Sequence, residues 1–269
     1  MQIDFAEAKF GRSPLVPIAR LCERLTFAVS NHVIATNESY AEVARSRGRK
    51  SSTAVTIVRN APPASWLERT ERTRPGILET LHLVYVGALS TQDGGETLAD
   101  VLVGLRMLAP PIEATLTVIG DGDRRAALEA ALAEHGLADR ATFTGWVEGE
   151  RVPELLEDAD ACLDPAPATY VNERSTMIKL AEYLALGKPV VAYDLRETRR
   201  TVGGAGILVA PGEVAAIVAA LALIARDPEL RARLARDARQ RAASLTWEDS
   251  ERQLLGAYAS VLGRDRSGP

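Results

Sequence analysis

Ser175-Thr176-Met177-Ile178-Lys179-Leu180-Ala181-Glu182-Tyr183-Leu184-Ala185-Leu186-Gly187-Lys188-Pro189-Val190-Val191 joins a helix to a strand through one glycine. Met177, Leu180, Ala181 and Leu184 recur at helical spacing and should face a sheet. Gly187 stops the helix, and Val190-Val191 enters a buried strand. Ser175 and Thr176 suit the helix start. Ser175, Lys179 and Glu182 lie at i, i+4 and i+7, on a different face from the apolar residues. N–H groups at a helix start and a lysine one turn in suit a diphosphate, and a carboxylate one turn further suits the vicinal hydroxyls of a ribose. The helix end alone contributes about 0.3–2 kcal/mol towards an anion. Two phosphates need more, so Lys179 and Arg174 must add charge-assisted bonds of about 1.5–3 kcal/mol each. The bland alternative is an exposed Lys179–Glu182 pair worth a few tenths of a kcal/mol.

On both sides of this stretch, strand-like and helix-like segments alternate. Strands are predicted at 81–86, 114–119, 141–144, 160–163, 189–193 and 207–209. Helices are predicted at 95–108, 123–136, 151–158, 176–186, 213–226, 228–243 and 247–262. Strands separated by helices imply parallel pairing through right-handed crossovers, hence an α/β doubly wound parallel sheet, Rossmann-like, spanning 81–245. Ligands in such folds sit at the carboxyl ends of strands, so the loops there are the ones to read. The loop from Gly87 to Gly95 follows a strand and opens a helix, a place where backbone can approach phosphate closely. Gly120 and Gly122 permit a tight turn after the next strand, against a nucleoside or as an ordinary turn. Phe143-Thr144-Gly145-Trp146-Val147 ends a short strand, where backbone near Val147 could pair with a base edge.

Residues 1–63 read as part of a second α/β domain. Leu15, Ile18, Leu21, Cys22, Leu25 and Ala28 fall at helical spacing, with Arg20, Glu23 and Arg24 on the polar side, and core packing is the expectation for the apolar face. Strands are predicted at 32–35 and 54–59, around a helix capped within Thr36–Ser39. Residues 64–80 are polar with prolines at the edges and read as a linker. Residues 246–269 form a last helix and a polar tail, the helix crossing back towards the N-terminal part. Hydrophobic residues are 46% of the 269-residue chain and charged residues 25%, as in soluble globular proteins. A net charge of -4 leaves no basic field for a polyanion, so nucleic acid is excluded as a partner. Cys22 and Cys162 read as buried, reduced thiols of a cytosolic protein. His32, His82 and His135 are far apart, which argues against a metal site. No signal peptide is read in the first residues, and no apolar run has spanning length.

The pattern Ser175-Thr176-Met177-x-Lys179-x-x-Glu182-Tyr183-x-Ala185-x-Gly187-Lys188-Pro189 resembles the donor-site signature of family-four retaining glycosyltransferases (GT-B fold, glycosyltransferase group 1). Val86-Gly87, Val118-Ile119-Gly120-Asp121-Gly122, Phe143–Val147 and Leu245-Thr246-Trp247 fall in that family's order. The resemblance covers residues 1–263 and is strongest over 81–192. It implies a GT-B C-terminal, donor-binding domain with a truncated N-terminal, acceptor-side domain. It implies transfer of a hexosyl sugar from a UDP-sugar or GDP-sugar to a glycan or lipid-linked acceptor with retention, with no metal or other cofactor. Glu182 would bind the ribose, N–H groups of Ser175, Thr176 and Met177 with Lys179 the diphosphate, and backbone near Val147 the base, with Gly87, Gly120 and Gly122 in the surrounding loops. Glu173 and Arg174 would lie near the sugar and, with Lys179, form the catalytic set. A cytoplasmic location, with peripheral contact at the inner face of the membrane, goes with such acceptors.

Two features depart from the family. Ala88 and Asp93 stand where it often has an arginine and a lysine facing the diphosphate. Its paired glutamates normally lie seven residues apart; here Arg174 stands eight before Glu182, and Glu173 is one position further off. Three readings follow: a transferase, a donor-binding subunit or inactive fragment completed by a second chain that supplies the missing domain, and a sugar-nucleotide epimerase of the same architecture.

Overall fold

The computed structural model describes residues 15–70 and 72–263. The start of the chain, read as lacking a signal peptide, and the polar tail after Gly263 lie outside the described residues. The chain divides into two compact units: residues 1–63, 169–176 and 245–269 form the first, and residues 64–168 and 177–244 the second.

In the first unit, β1 (Val33–Ala35) pairs in parallel with β2 (Val55–Ile57), in the register Val33↔Val55 to Ala35↔Ile57. Between them runs α2 (Glu38–Ser46), opened by Asn37, whose side chain accepts from the Tyr40 amide at 2.8 Å. Ala35, Ala41, Ala44 and Val55 make its small core. The last helix, Trp247–Leu262, belongs to this unit: Thr246 caps it, and the Trp247 amide donates to the Pro62 carbonyl at 3.3 Å. Helix α1 (Leu15–Val29) departs from expectation. Val16 is buried, Phe27 packs on the small core, and the Glu23 side chain is 15% exposed. The opposite face, Leu15, Ile18, Leu21 and Leu25, is 55–59% exposed. The predicted apolar face therefore looks outward, and Cys22 on that face is exposed rather than buried.

The second unit holds a six-stranded, wholly parallel sheet in the order β5-β4-β3-β6-β7-β8. The strands are β3 (Thr80–Val86), β4 (Glu113–Ile119), β5 (Ala141–Gly145), β6 (Ala161–Asp164), β7 (Val190–Tyr193) and β8 (Gly206–Val209), and helices α3 (Thr97–Arg106), α4 (Arg125–Glu134) and α5 (Arg151–Leu156) follow the first three of them. All six predicted strands are present within two residues of their predicted ends. β6 and β7 are buried at every position, as expected where helices cover both faces of a parallel sheet. The strand order reverses between β3 and β6, which makes the crevice beyond their carboxyl ends the expected ligand site. The helix Arg196–Val202 was not predicted; its sequence Arg-Glu-Thr-Arg-Arg-Thr-Val is short and polar.

Residues 64–80, expected as a linker, pack on this second unit. Arg74 forks onto the buried Asp160, with Nε donating to Oδ1 at 2.8 Å. Asp160 also accepts the His82 amide at 2.7 Å. The fully buried Arg231 guanidinium donates to the carbonyls of Arg74 and Gly76 at 2.7 and 2.6 Å. Such charge-assisted bonds satisfy carbonyls that no regular element uses. The segment is thus a strap fixed by the helix Pro228–Ala242.

Candidate functional site

The reversal of strand order places the ends of β3 and β6 side by side, and one helix stitches them together. That helix, α6, spans Ile178–Ala185 with Met177 as its cap residue, three positions later than a start at Ser175 would give. Tyr183 is fully buried. Its hydroxyl accepts the Val86 amide at 2.8 Å and donates to the Leu163 carbonyl at 3.3 Å. Ladder pairing between β3 and β6 covers Leu83↔Ala161 and Val84↔Cys162. Where the strands part, Tyr183 supplies the missing partner to each.

Lys179 lies one turn earlier on the same helix and is only 8% exposed. Its Nζ is 3.3 Å from Asp164 Oδ1, at the end of β6, and 3.3 Å from the Tyr85 hydroxyl, near the end of β3. It also sits 4.3 Å from the centre of the Tyr85 ring, a cation–π arrangement. The Asp164 oxygens are sealed from solvent, and the lysine ion is their compensation. Burial opposes the charged lysine, but Asp164, Tyr85 and Asp93 together hold its pKa above the usual lysine range. Burial likewise raises the Asp164 carboxyl, which the Lys179 charge partly offsets. Burial also raises the Tyr85 phenol, again opposed by Lys179. The exposed Lys179–Glu182 pair weighed from the sequence is therefore not formed.

Glu182 is half-buried, and burial raises its carboxyl above the ordinary value while Lys179 pulls it down. Among the described residues its carboxylate has no hydrogen-bond or ion-pair partner. A desolvated acid without a partner is poised to accept from hydroxyl groups brought by a ligand.

The glycine loops close around the same strand ends. Gly87, at φ 144°, lets the lysine in: a Cβ there would lie 2.9 Å from Lys179 Nζ. A Cβ on Gly120 would meet the Gly87 carbonyl at 2.1 Å, and one on Gly122 the Leu89 carbonyl at 2.2 Å. The two loops are joined by Gly87 amide to Ile119 carbonyl and Leu89 amide to Asp121 carbonyl, at 2.9 and 3.1 Å. Their glycines thus serve loop-on-loop packing. Asp93 accepts from Ser90 Oγ at 2.5 Å, so the first loop brings an acid, not a cation, towards Lys179. Val147 follows β5, with no hydrogen bond from its backbone among the described residues, and Trp146 beside it is 75% exposed.

Four of the sequence-predicted residues belong to the first unit. The Ser175 amide donates to the Asn172 carbonyl at 3.2 Å, its Oγ donates to the Val171 carbonyl at 2.9 Å, and that Oγ lies 3.0 Å from the Tyr40 hydroxyl. Thr176 Oγ1 accepts from Asn37 Nδ2 at 3.0 Å. These side chains hold the segment 169–176 to α2 and do not cap α6, a correction to the predicted helix start. The Thr176 and Met177 amides make no hydrogen bond among the described residues. Arg174 stacks on Tyr170, its guanidinium 3.8 Å from the ring centre, and Glu173 shares the 3-10 turn Asn172–Arg174.

Sequence reading missed Asp164, Tyr85 and the task of Tyr183. A carboxylate closing a buried strand is a signal, because it demands a partner. At the same rim, Thr91, Pro165, Tyr193 and Pro211 help line a cavity of about 490 Å³, to which none of the predicted site residues contributes. Among the described residues no three metal-ligating side chains cluster, and no helix is long and apolar enough to cross a membrane.

Known proteins resemble this chain. The family described as "Glycosyl transferases group 1" matches residues 80–227. The 2-deoxystreptamine glucosyltransferase of Streptomyces kanamyceticus is 32% identical over 155 residues, covering 56% of this chain and 39% of that protein. The glycogen synthase of Mycobacterium tuberculosis is 32% identical over 216 residues, covering 79% and 50%. The chain thus spans about half the length, or less, of the curated relatives it matches. Among solved structures, Anabaena HepE in complex with UDP superposes with a TM-score of 0.74 at 20% identity, over 90% of this chain and 67% of that one. Sucrose-phosphate synthase from Thermosynechococcus elongatus gives 0.72 at 20% identity, over 98% and 67%. With a doubly wound sheet of GT-B type and a family match over more than half its residues, the chain belongs to the group 1 glycosyltransferases.

Proposed function

We propose that this chain is the donor-binding half of a retaining glycosyltransferase that takes a UDP-sugar or GDP-sugar and serves a glycan or lipid-linked acceptor. The observation that carries this reading is the Glu182 carboxylate, half-buried and unpartnered one turn beyond the buried Lys179–Asp164 pair. In this reading Glu182 accepts from the ribose hydroxyls. Lys179, kept charged, offers a remaining N–H to the diphosphate beside Gly87, with the free Thr176 and Met177 amides as further donors. Ser175, with its amide already donated, acts by holding the segment. Gly120 and Gly122 keep the floor low, and Val147 meets the base. Glu173 and Arg174 remain the residues assigned to the sugar. Lys179 shares its charge with Asp164, so in this reading the Thr176 and Met177 amides carry the rest of the leaving diphosphate, with no metal. HepE binds UDP in its crystal structure, which supports a uridine donor here.

Calorimetry with UDP, GDP and their sugars tests this. Glu182→Ala should lose about 1–3 kcal/mol of nucleotide affinity, the worth of hydrogen bonds to a charged group. Equal affinity in a folded variant would remove the reading. Because the shared region covers half or less of these curated relatives, a second reading assigns acceptor positioning to a partner chain. Turnover by the chain alone favours the first reading, and donor binding without turnover, rescued by a second polypeptide, favours the other.

A further inference from the structure

In the first unit, an open groove of about 710 Å³ runs between α1 and the turn after α2. Four arginines line it: Arg20 and Arg24, one helical turn apart on α1, and Arg47 and Arg49 on the turn. One acid, Glu23, lines it with them. Glu23 is committed to Arg47, with carboxylate oxygens 3.1 Å from Nε and 3.4 Å from a terminal nitrogen. Four guanidiniums against one carboxylate leave a surplus of three positive charges in one concavity, in a chain whose net charge is -4. Neither Arg24 nor Arg49 has a partner among the described residues.

The turn itself is unusual. Gly48 donates its amide to the Val43 carbonyl at 3.2 Å, and Lys50 donates to the Ala44 carbonyl at 3.1 Å, closing a wider loop beyond the helix end. Within that loop Arg49 takes the left-handed conformation, at φ 51°, the one non-glycine residue with positive φ among those described. Gly48, the residue before it, has no room for a side chain: a Cβ there would meet the Ala44 carbonyl at 2.5 Å and the Phe27 ring at 2.7 Å. An arginine in the left-handed conformation, with its guanidinium unpartnered in a cationic groove, stands against local backbone preference. Arginine forks suit phosphate oxygens geometrically, and Tyr170 and Phe27 add apolar walls.

We infer that this groove binds a phosphate-bearing ligand through Arg24 and Arg49, with Arg20 and Arg47 completing the cationic wall. The site goes beyond the donor reading and stands without it. The test uses the full chain with inorganic phosphate and pyrophosphate as calorimetric probes. Arg24→Glu with Arg49→Glu should weaken binding about tenfold or more, while Arg236→Glu, at an exposed position of the second unit, leaves it unchanged. The same affinity in the double charge-reversed protein, or an equal loss in Arg236→Glu, overturns the site. Arg49→Gly is the sharper variant: it should melt at a higher temperature yet bind phosphate less tightly. A variant that is more stable and binds as well as the parent defeats the inference. Sedimentation with phosphatidylglycerol vesicles, against phosphatidylcholine vesicles, identifies the source. Arginine-dependent capture by the anionic vesicles assigns the phosphate to a lipid headgroup. Arginine-dependent binding of the soluble probes without capture assigns it to a free phosphoryl ligand, and neither binding refutes the groove.

Discussion

The Tyr183 hydroxyl takes the amide of Val86 at 2.8 Å, at the point where β3 and β6 separate. One side chain of α6 therefore sets the width of the opening in which Lys179 and Glu182 lie on the same helix. Tyr183→Phe leaves a buried amide unsatisfied and should cost about 1–3 kcal/mol in urea unfolding. It should also weaken nucleotide binding without removing either charged group. Unchanged stability would mean that the strands close up on their own.

Glu182 places a stability cost where the function needs it. Its pKa is raised by burial, so the folded state holds the proton more tightly than the unfolded one. Stability conferred on the protonated form is then lost as pH rises from the ordinary glutamate value, about 4.3, through the raised one. Glu182→Gln should accordingly raise the melting temperature of the ligand-free protein at pH 7 and flatten its decline above pH 4. It should bind nucleotide more weakly at the same time. Melting curves across pH settle the first part, and a Gln variant no more stable than the parent contradicts it.

Asp164→Asn would strand the Lys179 ammonium in a buried site. Breaking one partner of such a pair costs about 3–5 kcal/mol, whereas apolar replacement of both is often close to neutral. The double variant Asp164→Leu with Lys179→Met should therefore be more stable than Asp164→Asn and bind no diphosphate. A denaturant-unfolding cycle over the single and double variants measures the coupling directly.

Gly120→Ala carries a steric cost with a known target. The new methyl would meet the Gly87 carbonyl at 2.1 Å from a backbone at φ 134°. Destabilisation of about 1–3 kcal/mol is expected from the overlap. Gly136→Ala, also at positive φ but with nothing within 4 Å, isolates the backbone contribution, and its loss of melting temperature should be the smaller.

Much of this arrangement is legible in the amino acids, for reasons that differ by element. The six strands of the large sheet announce themselves because β-branched and apolar runs are bounded by Gly, Pro and Asp. The helix Arg196–Val202 does not, since its stability rests on tertiary contacts of a polar segment: Glu197 is fully buried and paired with Arg200 at 2.6 Å. Ser175 and Thr176 look like helix caps, yet hydrogen bonds to Tyr40 and Asn37, more than 130 residues away, recruit them first. Lys179 is identifiable from spacing, but its partners Asp164 and Tyr85 close separate strands and meet only when β3 and β6 become neighbours. On α1 the periodicity defines an apolar face and cannot say which way it turns.

The small parallel ribbon Val33–Ala35 with Val55–Ile57 has a further consequence. Two short strands over four small buried side chains supply little cooperative protection, while the six-stranded sheet encloses a continuous core. Amide protons of the ribbon should therefore trade with deuterated solvent long before those of Leu81–Val86. A protease added under native conditions should cut first around the ribbon and leave the larger sheet as the surviving fragment.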